Sequence, residues 1–364
     1  MVIIVKKEKA NEQLKKLGKD VVKEIEQKKN PSLEIPVRSL SNTIFDKKNK
    51  ILTLGNNTSR RYFFNVAHIK KFVQTIEAAA TAKELVDVQK HLSLREVYYR
   101  IKRTLPNSNI NLVDYQDESN KAIEDLELIT SLSREQLHIN ANKMGSVAGN
   151  VTIRDKGDLV NWAKLGSGGW SVPSNVEEIE FKKVDAKFVI YMEKAAEWER
   201  LHEDKVWKKL NCIIMSSQGQ ATRGVRRLLQ RLNIEHKLPV YVLTDFDPWG
   251  FYIYSVLKFG SISLAHISDR LTIPDARFLG LTAEDIVNFD LKKHIIKFKD
   301  VDAKRLKDMG KYDWFKDHKE WKRQFQLMKQ MNGKVELAAL SSKGISFISD
   351  VYIPKKIKNK DWIN

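Results

Sequence analysis

Residues 240–262 read VYVLTDFDPWGFYIYSVLKFGSI. PVYVL is a run of strand formers, DFDPWG carries turn residues, and FYIYSVLKFG has the length and composition of a helix. Working outward, the same rhythm repeats. KFVIYM (187–192) reads as a strand and EKAAEWERLHEDKVWKKL (193–210) as helix. CIIM (212–215) is a strand, SSQGQ a loop, and ATRGVRRLLQRL (221–232) a helix. ISLAHI (262–267) reads as a further strand. Strands alternating with helices of ten or so residues imply βαβ units and a parallel sheet, so the chain is assigned to the α/β class.

Functional groups in such sheets gather beyond the carboxyl ends of the strands. Glu193 directly follows KFVIYM, and Asp245 and Asp247 follow PVYVL. If the chain is still extended through TDFD, residues two apart face the same way and both aspartates point together. Hard oxygen ligands of this kind suit Mg²⁺, which keeps several waters and takes one or two carboxylates. Near a phosphodiester the ion would neutralise developing charge or template a leaving oxygen. The same acids have a plainer use as helix caps, since Glu193 and Asp247 both precede helical stretches.

The first half of the chain is organised differently. Residues 5–29 are rich in Lys and Glu and read as a solvated helix or a mobile arm, ended by Asn30-Pro31. LEIPVRSLSNTIFD (33–46) and KILTLG (50–55) look extended. FVQTIEAAATAKELV (72–86), SLREVYYRIKRTL (93–105) and DESNKAIEDLELIT (117–130) read as helices, with Ser93 as a cap for the second and SREQLHI (133–139) as a short further helix. GSVAGNVTIR (145–154) has the small residues and alternation of a hairpin. Three helices and a hairpin in a basic chain predict a winged-helix, CAP-like DNA-binding domain. LGSGGWSVPSN (165–175) reads as a linker. The expected organisation is an N-terminal arm and extension at 1–68, a winged-helix domain at 69–164, a linker at 165–180, and a parallel-sheet domain with a C-terminal extension at 181–364.

On a helix, Arg95 shares a face with Tyr98 and Tyr99, three and four residues on. A phenol ionises near pH 10 and is a poor nucleophile at neutrality. A guanidinium beside it favours phenolate and can also grip a phosphate. One Arg and one Tyr could thus attack a phosphodiester covalently. Spacing does not separate Tyr98 from Tyr99, and paired tyrosines also serve as core or interface residues. Further along, Arg223, Arg227 and Arg231 share a helix face after SSQGQ, where helix N–H groups also meet phosphate. Arg223 and Arg227, with Arg60 and Arg61 as weaker cases, are candidate DNA contacts. His138 and His202 lack paired ligands at metal spacing.

With 64 Lys+Arg against 46 Asp+Glu, the formal net charge is +18. That excess suits a polyanion, because cations that neutralise phosphates release counterions. No apolar run reaches the roughly 20 residues of a membrane span, and MVIIVKKEKA has the wrong order for a secretory signal, so an intracellular, cytoplasmic and nucleoid-associated protein with no membrane partner is expected. The single cysteine, Cys212, excludes an intrachain disulfide and a thiolate metal site. GSGG at 166–169 is not followed by Lys-Ser/Thr, so no phosphate-binding loop is read there.

A Glu after one strand and Asp-x-Asp after a later one resembles the toprim domain, a Rossmann-like parallel-sheet fold. The full string at 240–262 looks like the version found in topoisomerase VI A subunits, of the type IIB class. SLREVYYRIK, LEIPVRSLSNTIFD, HINANKMGSVAGNVTI, QATRGVRRLLQRL, IPDARFLGLT and ELAALSSKGISFISDVYIPKKI are similar to that family too, so the likeness runs from about residue 33 to the end. The resemblance implies that Tyr99 is the nucleophile, that Arg95 assists it, and that Glu193, Asp245 and Asp247 bind Mg²⁺. It implies transient double-strand breaks with 5′-phosphotyrosyl links, made by a homodimer of A subunits on double-stranded DNA. A separate B subunit would use ATP, in an A₂B₂ assembly, for strand passage, relaxation and decatenation. The rival readings are a metal-dependent toprim nuclease that uses water, a break-forming transesterase that never reseals, and a DNA-binding scaffold without chemistry.

Overall fold

The computed structural model describes residues 2–316 and 318–364, with side chains from residue 8 onward. The chain forms two compact units. One takes the chain up to Ile44, then Thr53–Asn142 and Ala265–Ile267; the other takes Phe45–Leu52, Lys143–Leu264 and Ser268–Asn364.

In the first unit the Ala-rich helix Ile69–Val88 packs against helices Leu94–Ile101 and Gln116–Thr130. Small residues at the contact, Ala78, Ala82 and Val86, are fully buried and let the helices approach closely. The Lys-rich start is a helix, Val2–Glu26, and it packs on Ile69–Val88 through a stripe that includes Ala10, Leu14 and Leu17. Its lysines occupy the remaining faces, which is why composition alone left a solvated arm open. Strand Ser32–Pro36 pairs antiparallel with Thr58–Tyr62. The segment SREQLHI is a turn rather than a helix; it leads into Ile139–Asn140, which pairs with Leu92–Ser93.

The second unit is built on a parallel sheet. Its strands lie in the order Ile213–Ser216, Val189–Met192, Val240–Leu243, Arg277–Gly280, all parallel. All four residues of each of the first three strands are buried, as a parallel sheet covered on both faces requires. Val189–Met192 leads through helix Ala195–Glu203 to the strand on one side. Val240–Leu243 leads through helix Pro248–Phe259 towards the strand on the other. The crevice between their carboxyl ends is therefore the topological switch point.

Three expectations are corrected here. ISLAHI is part of a 3₁₀ helix, Ile262–Arg270, and the outer parallel strand is Arg277–Gly280. GSVAGNVTIR is no hairpin: Ser146–Ala148 extends the parallel sheet antiparallel to Ile213–Ser216, while Val151–Asp155 joins a separate sheet with Asp158–Asn161 and Glu180–Val184. Gly145 makes the first placement possible, with φ +98° and no Cβ, because a Cβ would stand 2.5 Å from the Ser216 carbonyl oxygen. The stretch expected as a linker at 165–180 is folded within the second unit, with Trp170–Ser171 paired to Ser146–Val147, and the boundary between units falls at 142/143.

The helix Arg223–His236 is tied to its surroundings by ions. Arg227 and Arg270 both grip Glu177, at 2.6 and 2.5 Å. Burial pushes the Glu177 carboxyl up, but the two guanidiniums more than offset this and hold it at about 2. A carboxyl depressed in the folded state contributes stability above its unfolded pKa and loses it as pH falls through the folded one. Thermal melts of the wild type should therefore lose stability between about pH 4.5 and pH 2. Glu177→Gln should flatten that part of the profile and cost about 3 kcal/mol at neutral pH, since it leaves two half-buried guanidiniums without their anion.

Candidate active site

The sheet places the acids. Met192 is in register with Leu243 on the neighbouring strand, so Glu193 and Thr244 leave the sheet side by side and Asp245 follows one residue on. Asp245 is held on two sides: the Leu337 N–H donates to its Oδ1 at 2.8 Å, and Lys194 Nζ lies 2.7 Å from its Oδ2. Asp247 caps the helix Pro248–Phe259, accepting from the Gly250 N–H at 2.6 Å. The plainer use as a cap is thus real for Asp247, and it does not consume the whole carboxylate. Glu193 has no capping role, because Lys194 occupies the cap position of the following helix.

The electrostatics show that the three acids crowd one another. Burial, then the charges of Asp245 and Asp247, push the Glu193 carboxyl up to about 7, against the opposing pull of Lys194. Asp247 is raised by burial and by Asp245, against the pull of the Gly250 N–H and Lys334. Among the described residues no group of three His, Cys, Asp or Glu is already gathered closely enough to cage a metal. A Mg²⁺ that keeps most of its waters does not need such a cage, and a crowded set of oxygens with a raised pKa is what a dication would relieve. The residues present therefore fit the ion.

Several neighbours carried no sequence signal of their own. Lys194 also faces Glu336 at 3.8 Å, and Lys334 pairs with the buried Asp302 at 3.0 Å. Glu197 is buried, which raises its carboxyl. The loop holding Lys334 and Glu336 reaches the acids because Val335 and Phe246 exchange backbone hydrogen bonds at 2.9 and 3.1 Å. Only the side-by-side position of Glu193 and Lys194 could have flagged any of them.

In the first unit, Ser93 caps the tyrosine helix with a capping box closed by Glu96, as its position predicted. The two tyrosines part company. Tyr98 is 6% exposed and its hydroxyl donates to the Asp114 carbonyl at 3.0 Å. Tyr99 is 58% exposed, and Arg95 Nη2 donates to its oxygen at 2.9 Å. Arg95 is itself steadied by Gln116 at 2.8 Å, and its guanidinium lies 4.9 Å from the Tyr99 ring centre. Burial thus separates two phenols that helix spacing leaves alike.

The arginine helix differs from expectation. Arg223 is buried, and Arg226 is buried with its Nε donating to the Leu271 carbonyl at 3.2 Å. Burial pushes Arg226 down to about 10. Arg227 is committed to Glu177, and Arg231 pairs with Glu235 at 2.6 Å. Along that four-residue spacing Arg223 is buried while Arg227 and Arg231 are ion-paired to protein carboxylates. Arg60 is exposed and pairs with Glu34 at 2.9 Å; Arg61 pairs with the buried Asp125 at 2.5 Å. His138 bonds the Lys90 carbonyl, and His202 stacks on Trp198. Cys212 is buried. No helix among the described residues is long and apolar enough to cross a membrane.

Comparison with known proteins agrees with this layout. Residues 188–357 match the toprim domain of the topoisomerase 6 A-subunit/Spo11 family. Residues 70–139 match Type IIB DNA topoisomerase, and 135–185 match the all-beta domain in the alpha chain of DNA topoisomerase VI. The chain is 43% identical to the type 2 DNA topoisomerase 6 A-subunit of Pyrococcus horikoshii, over 96% of this chain and 94% of that one. It is 36% identical to the protein of the same name from Methanocaldococcus jannaschii, over 97% and 96%. With matches along nearly its whole length and an α/β toprim domain carrying the acids, the chain belongs to the family of type 2 DNA topoisomerase 6 A-subunits.

Proposed function

We propose that this chain is the DNA-cleaving and rejoining subunit of an ATP-dependent type IIB topoisomerase. The observation that carries the reading is an exposed phenol, Tyr99, whose oxygen accepts a hydrogen bond from Arg95 while its neighbour Tyr98 is spent on a backbone carbonyl. The Tyr99 oxygen attacks a backbone phosphorus, forming a 5′-phosphotyrosyl bond. The P–O bond to the preceding sugar breaks, and the proton lost by the phenol is balanced by the one gained by the 3′ hydroxyl. The reverse attack by that hydroxyl reseals the strand. Arg95, already hydrogen-bonded to the Tyr99 oxygen, holds the phosphate beside it.

Glu193, Asp245 and Asp247 would hold Mg²⁺, which when bound supplies positive charge for the scissile phosphate and the leaving oxygen. Lys194 holds Asp245 in place. The nucleophile and the acids belong to separate compact units, which supports a homodimer in which a tyrosine of one copy serves the acids of the other. Strand passage, relaxation and decatenation need a driven cycle, and a B subunit that hydrolyses ATP would complete an A₂B₂ assembly. The finer description of the first unit as winged-helix rests on its three packed helices, without the wing expected at 145–154. The sheet of the second unit is of the Rossmann-like kind. Of the arginines, Arg60 remains a DNA contact in this reading, because an exposed pair with Glu34 can be exchanged for phosphate at little cost. The protein would act in the cytoplasm, on the nucleoid.

Two outcomes test this. Mixed with a B subunit, supercoiled DNA, Mg²⁺ and ATP, then stopped with denaturant, the protein should yield double-strand breaks with protein attached. Tyr99→Phe should abolish them, by at least about a thousandfold for loss of the nucleophile, while Tyr98→Phe should keep most of the activity. Free-ended breaks that persist in Tyr99→Phe would favour the nuclease. The second outcome concerns the acids. EDTA should stop cleavage, and Glu193→Gln should weaken Mg²⁺ binding measured by calorimetry. Without metal, the raised Glu193 carboxyl makes the folded protein hold a proton that the unfolded chain releases, so stability should fall as pH rises from about 4.5 to 7. Glu193→Gln should remove that fall; an unchanged profile would show that the acids do not crowd.

A further inference from the structure

Trp249 stands in the first turn of the helix Pro248–Phe259, two residues beyond Asp247, and is 41% exposed. Arg305 covers one face of it, with the guanidinium carbon 4.0 Å from the ring centre and 4.8 Å from the ring of Tyr252. Arg305 lies on the helix Asp300–Met309, which packs against Pro248–Phe259. One turn before it is Asp302, bonded to Lys334 at 3.0 Å, and Lys334 adjoins the residue that bridges Phe246 of the TDFD turn. The stack is thus built onto the edge of the acid cluster.

Its charge is uncommitted. Among the described residues Arg305 forms no ion pair; its partners are the rings of Trp249 and Tyr252. A guanidinium laid flat on an indole keeps its N–H edge free in the plane of the ring and is weakly hydrated, which suits a phosphate. A chain with a formal net charge of +18 suits a polyanionic partner for this free cation.

We infer that Arg305, held by Trp249, grips a DNA backbone phosphate at the edge of the acid cluster. This rests on the function proposed above, but its test separates the two. The full chain, in Mg²⁺, is titrated onto a fluorescent duplex over a range of salt. Arg305→Gln should weaken binding about threefold to tenfold and lower the slope of log affinity against log salt by about one, as loss of a single phosphate contact does. Arg305→Lys should keep the slope and lose part of the affinity, because the point charge remains without the flat edge. Trp249→Ala should behave like Arg305→Gln, and Trp249→Phe should restore binding. Wild-type affinity and slope in Arg305→Gln would overturn the inference, as would a wild type that does not bind the duplex. A wild type that binds with the Arg305 dependence yet never becomes linked to DNA through Tyr99 would overturn the proposed function and leave the phosphate contact standing.

Discussion

The structure turns on a forced proximity of like charges. Hydrogen bonding between two parallel strands fixes Met192 opposite Leu243, and whatever follows those residues must emerge at one place. Here that is Glu193 on one strand and Thr244-Asp245 on the other, with Asp247 closing the turn as a helix cap. The cost of assembling these carboxylates is visible in Glu193, which keeps its proton up to about pH 7. A core of fully buried strands holds the arrangement against that repulsion, since separating the acids would mean breaking the sheet.

The surroundings manage the charge without cancelling it. Lys194 neutralises Asp245, and Lys334 neutralises Asp302. A lysine is a flexible point charge with a strong affinity for water, so it can yield its place more readily than a forked arginine would. Three arginines of this unit are used elsewhere: Arg227, Arg231 and Arg270 pair with carboxylates in the scaffold, where permanence is an advantage. The division of labour between lysine near the acids and arginine in the scaffold follows from the chemistry of the two head groups.

That difference also explains what could be read from the sequence. The strand–acid–helix pattern at 240–262 was legible because burial of a parallel strand demands an unbroken apolar run, and the residue after it is exposed by geometry alone. The Arg95–Tyr99 pair was legible as a helix spacing, but choosing between Tyr98 and Tyr99 needed the Asp114 carbonyl, which comes from a loop sixteen residues away. The arginine face at 223–231 was misread because four-residue spacing says which residues share a side and not what that side meets; Glu177, some fifty residues off, decides it. The supposed hairpin at 145–154 failed for the same reason. Its alternation was real, yet its first strand pairs with the distant Ile213–Ser216, and its second with Asp158–Asn161 just beyond it and with Glu180–Val184.

The chemistry asks less of this fold than cleavage by water would. A phosphotyrosyl ester replaces a phosphodiester, so bond energy is kept and the site must stabilise charge without driving the reaction. Nothing in the chain is then needed to bind a nucleotide, and the Gly-rich stretch at 166–169 is put to structural use: it forms a short 3₁₀ turn, and Gly169 lies so close to Trp198 that a Cβ would meet the indole at 2.8 Å. The energy for moving one duplex through another would be supplied, in the function proposed here, by an ATP-hydrolysing B subunit.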